Sequence, residues 1–404
     1  MSDKRVLTKA MCEQYRKATK KVKGQILDQF VEANGYDRCY ARWLLRNHGR
    51  RVEVRPGVFL EGDARRRAER PPHPRTYDFV VLAPLKKLWG LLDYICGKRL
   101  KPALPGLIER LEACRELRVT KAVRAQLLAI SPSTIDRLLK AERSQHTLKG
   151  RSHTKPGTLL KHQIPIRTFS EWDDARPGFL EMDLVGHEGG RAQGDYCFTL
   201  DLTDVSSGWT EQYAVPNKAQ THVFEALQAI RRRLPFPTLG LHSDNGSEFI
   251  NDQMRRFCLA EKITFTRSRP YRKNDTCHIE QKNWSIVRRF VGYFRYDTRH
   301  ECDFLNGLYV KLRDYNNFFT PSLQLKEKVR DGARVTRRYH PAKTPYQRLL
   351  DSPHVDPRVK KHLKAYYNTL NPAALHRRIQ TLQKTLSQLA ARKPQHKETS
   401  PCPS

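Results

Sequence analysis

The sequence predicts an α/β protein in which a mixed-sheet core lies between N-terminal all-α domains and a basic C-terminal region. Apolar residues recur at helical spacing as far as about residue 142, and from about residue 174 short apolar strands alternate with helices. Basic residues are concentrated in the two flanks of this core. A chain of 404 residues suits two to four domains, at roughly 100–200 residues each.

The expected domains follow these changes of pattern along the chain. We expect an N-terminal helix-turn-helix, a basic Pro-rich linker, a second helical domain with a helix-turn-helix, a basic linker, the mixed-sheet core and a mostly helical C-terminal region. Their predicted bounds are, in that order, 1–50, 51–76, 77–142, 143–173, 174–318 and 319–404.

The net charge of +33 is distributed unevenly. Residues 1–173 contain 37 Lys and Arg against 18 Asp and Glu, and residues 319–404 contain 18 against 5. Residues 174–300 are nearly neutral, with 18 against 16. Basic flanks suit a polyanion, and nucleic acid is the commonest one, with a solvated basic surface as the alternative. The charge therefore favours a nucleic-acid partner.

The cellular setting is predicted from what the sequence lacks. No apolar stretch approaches the ~20 residues of a membrane span, and the N-terminus has no apolar run of a signal peptide. The nine cysteines are scattered without a C-x-x-C pair, which favours reduced thiols over disulfides or a zinc site. We expect a soluble, cytoplasmic protein without a membrane partner.

The first helix-turn-helix is predicted from a helix that stops at Asn34-Gly35 and a short basic helix after it. In such motifs the second helix enters the major groove of DNA. The candidate DNA contacts are Arg38, Arg42 and Arg46. A plain helical hairpin is the alternative.

The second helix-turn-helix is predicted around residues 119–143. Ser131 is a good N-cap, and Pro132 suits the first turn of the following helix. The candidate DNA contacts on the exposed side of that helix are Ser133, Thr134 and Arg137.

The mixed-sheet core begins with three strand-like segments, two of which form a hairpin that turns at 206–208. Helices then alternate with two further strands, and a long helix is predicted over 277–296. This order of elements is that of an RNase H-like mixed sheet.

Three acidic residues of the core stand out by their positions. Asp183 lies in the middle of an apolar strand, where an acid is costly unless it is paired or binds a cation. Asp244 ends a second strand, and Glu280 lies in the first turns of the long helix, after a polar loop. The spacing of 35 residues between Asp244 and Glu280 is weak evidence by itself, and surface ion pairs are the alternative. Because two acids on strands and one on a helix can converge at one end of a sheet, they suit Mg²⁺ or Mn²⁺.

The segments that contain these acids are EMDLV, SDNGSEF and NDTCHIEQKN. In this order they resemble the three catalytic blocks of the retroviral-integrase and DDE transposase superfamily, over roughly residues 174–300. SDNGSEF is the most specific block and is similar to a signature of bacterial insertion-sequence transposases. Retroviral integrases have an N-terminal His₂Cys₂ zinc domain, and the absence of that spacing here favours a bacterial, nucleoid-associated transposase.

The resemblance implies a function and a mechanism. Asp183, Asp244 and Glu280 would be the catalytic residues and would hold two Mg²⁺ or Mn²⁺ ions. One metal would activate water and later a DNA 3′-hydroxyl, and the other would stabilise the leaving oxygen. The enzyme would nick the ends of a mobile element in double-stranded DNA and join them to target DNA by transesterification, as a homo-oligomer on the paired ends.

Further residues near the three blocks are candidate DNA contacts because they lie in the turn after Asp244, in the loop before Glu280 or along its helix. They are Asn245, Lys273, Asn274, Lys282 and Arg288. Trp284, one turn after Glu280, is interpreted as a core residue rather than a base-stacking residue. Asp201 and Asp204 are interpreted as structural acids of the hairpin.

Two other functions stay open at this point. One is a catalytically silent, domesticated transposase that acts as a DNA-binding regulator, and the presence of all three acids argues against it. The other is an RNase H-like nuclease that cuts without joining, and the tandem DNA-binding segments argue against that. Metal-dependent strand joining would mark the transposase, whereas salt-sensitive binding alone would mark the regulator.

Overall fold

The structure is a computed structural model that describes residues 2–56, 58–61, 76–143, 176–191, 193–244, 246, 248–268, 279, 282–331, 334–391 and 393. The chain divides into two compact units, Met1–Thr76 and Tyr77–Ser404. Among the described residues, no helix is long and apolar enough to cross a membrane.

The first unit contains the three helices that the sequence predicted, α1 (Ser2–Lys17), α2 (Lys20–Asn34) and α3 (Arg38–Asn47). Gly35 ends α2 because it adopts a positive φ of 68° and donates its N–H to the carbonyl of Val31. The Asp37 carboxylate caps α3 by accepting the N–H groups at its start. The three helices pack around a small apolar core that is centred on Phe30 and Leu45.

An antiparallel hairpin of β1 (Arg51–Arg55) and β2 (Val58–Glu61) follows α3. The predicted linker is therefore wrong for residues 51–61, whereas residues 62–75 lie outside the described part of the chain. A segment with alternating apolar residues, Arg51–Arg55, and a short apolar run at residues 58–60 flank Pro56-Gly57, which is a turn signal. The basic, Pro-rich composition of the whole stretch masked that local pattern.

The second unit begins with five helices, and two of them, α5 and α7, are in close contact. The helices are α4 (Phe79–Leu91), α5 (Gly97–Ala113), α6 (Lys121–Ala129), α7 (Pro132–Leu138) and α8 (Lys140–Arg143). Ser131 caps α7 as predicted, by accepting the N–H of Thr134 at 3.1 Å. Gly97 donates its N–H to Asp136 at 2.8 Å, and a Cβ at Gly97 would stand 2.2 Å from the carbonyl oxygen of Pro132. Only glycine therefore permits α5 and α7 to approach this closely.

The sheet of the second unit has five strands in the order β5-β4-β3-β6-β7. Their bounds are β3 (Phe179–Gly186), β4 (Phe198–Asp204), β5 (Thr210–Val215), β6 (Gly240–Ser243) and β7 (Thr264–Arg267). β3, β4 and β5 are antiparallel, whereas β6 and β7 run parallel to β3. The predicted RNase H-like mixed sheet is confirmed. Asp204 has the predicted structural role, because it accepts the N–H and hydroxyl of Ser207 in the hairpin turn.

Helices α9 (Gln220–Arg231) and α10 (Asp252–Ala260) connect β5 to β6 and β6 to β7. After β7 comes a π-helical segment, Asn283–Arg288, which continues as α11 (Arg289–Val291). The predicted long helix does not reach residue 296, because Gly292 ends it with a φ of 80°. Beyond Gly292 the backbone turns toward the sheet, where the N–H of Tyr296 donates to the carbonyl of His187 at 3.1 Å.

The last part of the chain contains α12 (Arg299–Phe319), a two-stranded sheet and three helices. The strands are β8 (Leu325–Asp331) and β9 (Arg334–Tyr339), and the helices are α13 (Pro345–Asp351), α14 (Pro357–Thr369) and α15 (Pro372–Ala391). α12 is fixed to the sheet through the Asn317 amide, which bonds both backbone groups of Thr210. Arg110 of α5 donates to the carbonyls of Asn368 and Leu370, so the C-terminal helices also pack on the helical segment.

Candidate metal site and nucleic-acid surfaces

Asp183 and Asp244 lie side by side on neighbouring parallel strands. Met182 of β3 is paired in register with Ser243 of β6, and each acid directly follows one member of that pair. Both acids are half-buried. Among the described residues, neither forms an ion pair with a Lys or Arg side chain. The sheet therefore brings two of the three predicted acids together without a cationic side chain to balance them.

Burial and a neighbouring carboxylate both disfavour the ionised form of Asp183 and of Asp244. Burial and then the charge of Asp244 raise the pKa of Asp183 to about 7. This happens although Asp183 accepts hydrogen bonds from the Leu184 N–H at 2.8 Å and from Asn283 Nδ2 at 2.6 Å. Burial also raises the pKa of Asp244. Adjacent carboxylates with raised pKa values are a pair that a bound cation would stabilise.

Gly246 shapes the turn that presents Asp244. Its N–H donates to Asp244 Oδ1 at 2.9 Å, and a Cβ at this position would stand 2.7–2.9 Å from the carboxyl group of Glu248. Glu248 is close enough to Asp244 to raise its pKa further. A residue larger than glycine would push Glu248 away from the turn. The structure thus adds Glu248 as an acid near Asp244 that the sequence reasoning had missed.

The third predicted acid, Glu280, lies outside the described residues, as do Asn245, Lys273 and Asn274. Within the described part of the chain, no group of three His, Cys, Asp or Glu residues could hold a metal ion. The donors that are described, two carboxylates at adjacent strand positions, are hard oxygen ligands of the kind that Mg²⁺ prefers. This donor set fits a divalent metal, with Glu280 as the expected third ligand.

Glu181 contacts the backbone immediately before Glu280. It lies on β3 two residues before Asp183, and it is fully buried. Its Oε2 accepts the N–H of Ile279 at 2.7 Å. A buried carboxylate is costly, and a hydrogen bond to it is stronger than one between neutral groups. Glu181 thus holds the chain that leads into Glu280 against the strand of Asp183.

We expect Glu181→Ala to lower the rate of metal-dependent DNA joining by about 10- to 100-fold, the range for losing an outer partner of a metal ligand. The matched variant is Glu181→Gln, whose amide oxygen can still accept the Ile279 N–H. It should retain most of the rate at saturating Mg²⁺. Both rates are measured against Mg²⁺ concentration, together with the unfolding temperature of each variant. A Gln variant as slow as a folded Ala variant would contradict this role of the hydrogen bond.

Asn283 is a second residue that the sequence reasoning had missed. It opens the π-helical segment and donates to Asp183, so it links that segment directly to the acid. Short π-helical stretches are rare and are frequent at functional sites. Nothing in the sequence distinguishes Asn283 from other polar helix residues, because its role depends on the register of the helix over the sheet.

Asp201 lies directly opposite Asp183 in the β3–β4 register and is fully buried. It accepts hydrogen bonds from Thr210 and Gln212, and burial raises its pKa to about 6. The positive charge of Lys282 lowers the pKa of Asp201. Burial lowers the pKa of Lys282 itself to about 8. Lys282 is half-buried and lines a cavity of 130 Å³. The phosphate contact that the sequence predicted for it stays a prediction.

The arginines predicted to bind DNA through the first helix-turn-helix, Arg38, Arg42 and Arg46, are all exposed. They line a 740 Å³ cleft in the first unit whose lining includes no acidic residue, and Arg38 is paired with Asp28 at its side. Its other basic residues are Arg16, Lys20, Lys23 and Arg50. Such a cleft suits a phosphate backbone.

In the second helix-turn-helix, Ser133 and Arg137 are exposed, whereas Thr134 is half-buried. The hydroxyl of Thr134 bonds the hydroxyl of Ser131 at 2.9 Å, so it is partly engaged in the cap of α7. The structure thus leaves two of these three predicted contacts free for DNA.

Trp284 is 53% exposed, and the interpretation of this residue as part of the core is wrong. The π-helical geometry of Asn283–Arg288 shifts side chains relative to an α-helical register, and the apolar inward positions are Ile286 and Val287. Arg288 of the same segment places its guanidinium 5.0 Å from the centre of the Tyr293 ring.

Comparison with known proteins agrees with this fold. Residues 173–273 match the family model of the integrase core domain. The middle of the chain thus matches integrase core domains.

Over 348 residues, the chain is 38% identical to "Uncharacterized protein y4rM" of Sinorhizobium fredii (strain NBRC 101917 / NGR234), and the alignment covers 86% of this chain and 95% of y4rM. The chain belongs to the same family as y4rM. Among solved structures, the catalytic core domain of BIV integrase is 20% identical, with a TM-score of 0.30, over 44% of this chain and 96% of that one. The HTLV-2 integrase catalytic core domain in complex with magnesium (dimeric form) is 18% identical, with a TM-score of 0.28, over 36% of this chain and 90% of that one.

Proposed function

We propose that this protein is a DNA transposase or integrase, which nicks the ends of a mobile element and joins the resulting 3′-hydroxyl groups to target DNA. The observation that carries the proposal is the adjacent pair Asp183 and Asp244, which lies within an integrase core and has no cationic side chain beside it among the described residues. With Glu280, these acids would hold two Mg²⁺ or Mn²⁺ ions. When bound, the ions would activate the attacking hydroxyl and stabilise the leaving oxygen.

The side chains around the acids would keep them in place. Asn283 orients the Asp183 carboxylate, and Glu181 holds the backbone that enters Glu280. Asp201 lies opposite Asp183 in the sheet, and the charge of the half-buried Lys282 acts on Asp201. Precise placement of acids by locked neighbours is what metal-dependent phosphoryl transfer requires.

The basic cleft of the first unit would bind the element ends. Seven basic side chains line it without an acid, so duplex phosphates would release counterions on binding there. We propose that the protein works on paired ends as a homo-oligomer, since two ends must be cut and joined together.

The double variant Arg42→Ala/Arg46→Ala should weaken duplex DNA binding and flatten its salt dependence. Each lost phosphate contact should lower the slope of log K against log salt by about 1. The control is Lys21→Ala, which removes an exposed charge of the same unit that does not line the cleft. Fluorescence anisotropy over a salt series measures both effects. A double variant with the slope of the wild type would rule out the cleft as a phosphate site.

The function itself is tested with the full chain, DNA duplexes that carry the sequences flanking its gene, a target plasmid and Mg²⁺ or Mn²⁺. We expect element strands joined to the plasmid when the metal is present and none when EDTA is added. Nicked DNA without joined product would identify a nuclease instead. Salt-sensitive binding with neither product would identify a DNA-binding regulator, and either result would overturn the proposal.

A further inference from the structure

We propose that a pocket formed by the π-helical segment and α15 binds an unpaired base of the DNA substrate. The pocket has a volume of 550 Å³, within the range of ligand sites. The lining residues that carry the argument are Trp284, Arg288, Tyr293, Phe294, Gln383 and Lys384. The inference rests on the proposed function, because it takes DNA to be the substrate.

The pocket wall combines exposed aromatic rings with positive charge. Trp284 is 53% exposed and Phe294 is 47% exposed, which is unusual for rings of this size beside a well-packed core. Arg288 lies over the Tyr293 ring, so a cation is already held at an aromatic face. An aromatic surface flanked by cations is how proteins hold single-stranded nucleic acid, by stacking on the bases and pairing with the phosphates.

The charge of the lining narrows the choice of ligand. Arg288 and Lys384 contribute two cations, Arg289 is paired with Asp93, and no acidic residue lines the pocket. A second copy of the chain that docked this face on itself would bring like charges together, which disfavours a dimer contact. An anionic ligand with a flat apolar part fits the charge and the rings at once, and a nucleotide is such a ligand.

The π-helical segment connects the pocket to Asp183. Trp284 directly follows Asn283, whose amide bonds Asp183 at 2.6 Å. The π-helical segment therefore contributes both a direct partner of Asp183 and the wall of the pocket. A base inside a duplex presents only its edges, so an aromatic ring can stack on it only after it leaves the helix. We therefore assign the pocket to a base at an opened or overhanging DNA end.

The test measures binding alone, in EDTA, by fluorescence anisotropy. One DNA is a blunt duplex, and the other has the same duplex with a short single-stranded overhang. Trp284→Ala should weaken binding of the overhang DNA by about tenfold, the loss expected for one base–aromatic stack, and that of the blunt duplex by less than about twofold. Trp284→Phe retains a ring and should recover most of the affinity.

The matched control is Phe79→Ala, which removes an even more exposed aromatic ring outside the pocket and should leave both affinities unchanged. Equal losses on the two DNAs, or none on either, would overturn the proposal. So would a change in the DNA-free oligomeric state of Trp284→Ala by sedimentation, which would make the pocket an interface between copies. Because the assay needs no catalysis, its failure is distinguishable from absence of strand joining.

Discussion

Asp183→Asn and Asp244→Asn should each reduce DNA cutting and joining by more than about 100-fold, which exceeds the loss expected for an outer partner of a metal ligand. Asparagine keeps the size of the side chain and one acceptor oxygen, but it removes the negative charge on which Mg²⁺ binding depends. The two acids are adjacent in the sheet, so losing either leaves the metal with half of the described carboxylates. Single-turnover joining rates at saturating Mg²⁺ measure the effect.

A suitable control is Asp303→Asn, which makes the same charge change at an exposed position of α12. It should join strands at the wild-type rate. DNA binding in EDTA should survive in all three variants, because the proposed phosphate contacts lie elsewhere. If either active-site variant joined strands normally, that acid would not be a metal ligand.

The sequence was sufficient to find these two acids, because both depend on local patterns. An acid inside an apolar strand and an acid at the end of a strand before Asn-Gly can be recognised from a few neighbouring residues. Their adjacency could not be derived in this way, since it requires β3 and β6 to be neighbours in a parallel register. The resemblance to integrases supplied that expectation, and the sheet order confirmed the fold.

The residues that were missed depend on tertiary register. Glu181 shares a strand face with Asp183, so its acidic side chain in EMDLV was a usable signal, but its partner Ile279 is about a hundred positions away. Asp201 was interpreted as a hairpin acid, although the β3–β4 pairing places it opposite Asp183. Trp284, one turn after Glu280, was interpreted as a core residue, and the π-helical segment that contains it could not be predicted from the sequence.

Burial of Asp183 and the charge of Asp244 beside it should destabilise the metal-free protein as the pH rises to neutrality and above. The pKa of Asp183 is about 7 in the folded state against about 3.9 for a free aspartate. Because the folded pKa is raised, the unfolded state loses its proton first, and the folded state loses stability as the pH rises from about 4 to 7. The shift of about three units corresponds to at most ~4 kcal/mol, and solvent screening of a half-buried group reduces this to an order of ~1–2 kcal/mol.

Asp183→Asn should therefore raise the stability of the metal-free protein at about pH 8, with a difference that shrinks toward pH 4. The Asn283 amide can turn to suit the new side chain, because its Oδ1 has no partner among the described residues. Urea unfolding midpoints in EDTA at the two pH values measure this.

Mg²⁺ should then stabilise the wild type at pH 8 and have little effect on the variant, since only the wild type provides the ionised pair that binds it. Asp303→Asn is again the control, and it should show no gain in stability at either pH value. A wild type that is as stable at pH 8 as Asp183→Asn, in the absence of metal, would show that the ionised Asp183 carries no cost in the folded protein. We expect instead that Asp183→Asn, which should lose DNA joining, is more stable than the metal-free wild type. This is expected where a site holds like charges together for a ligand.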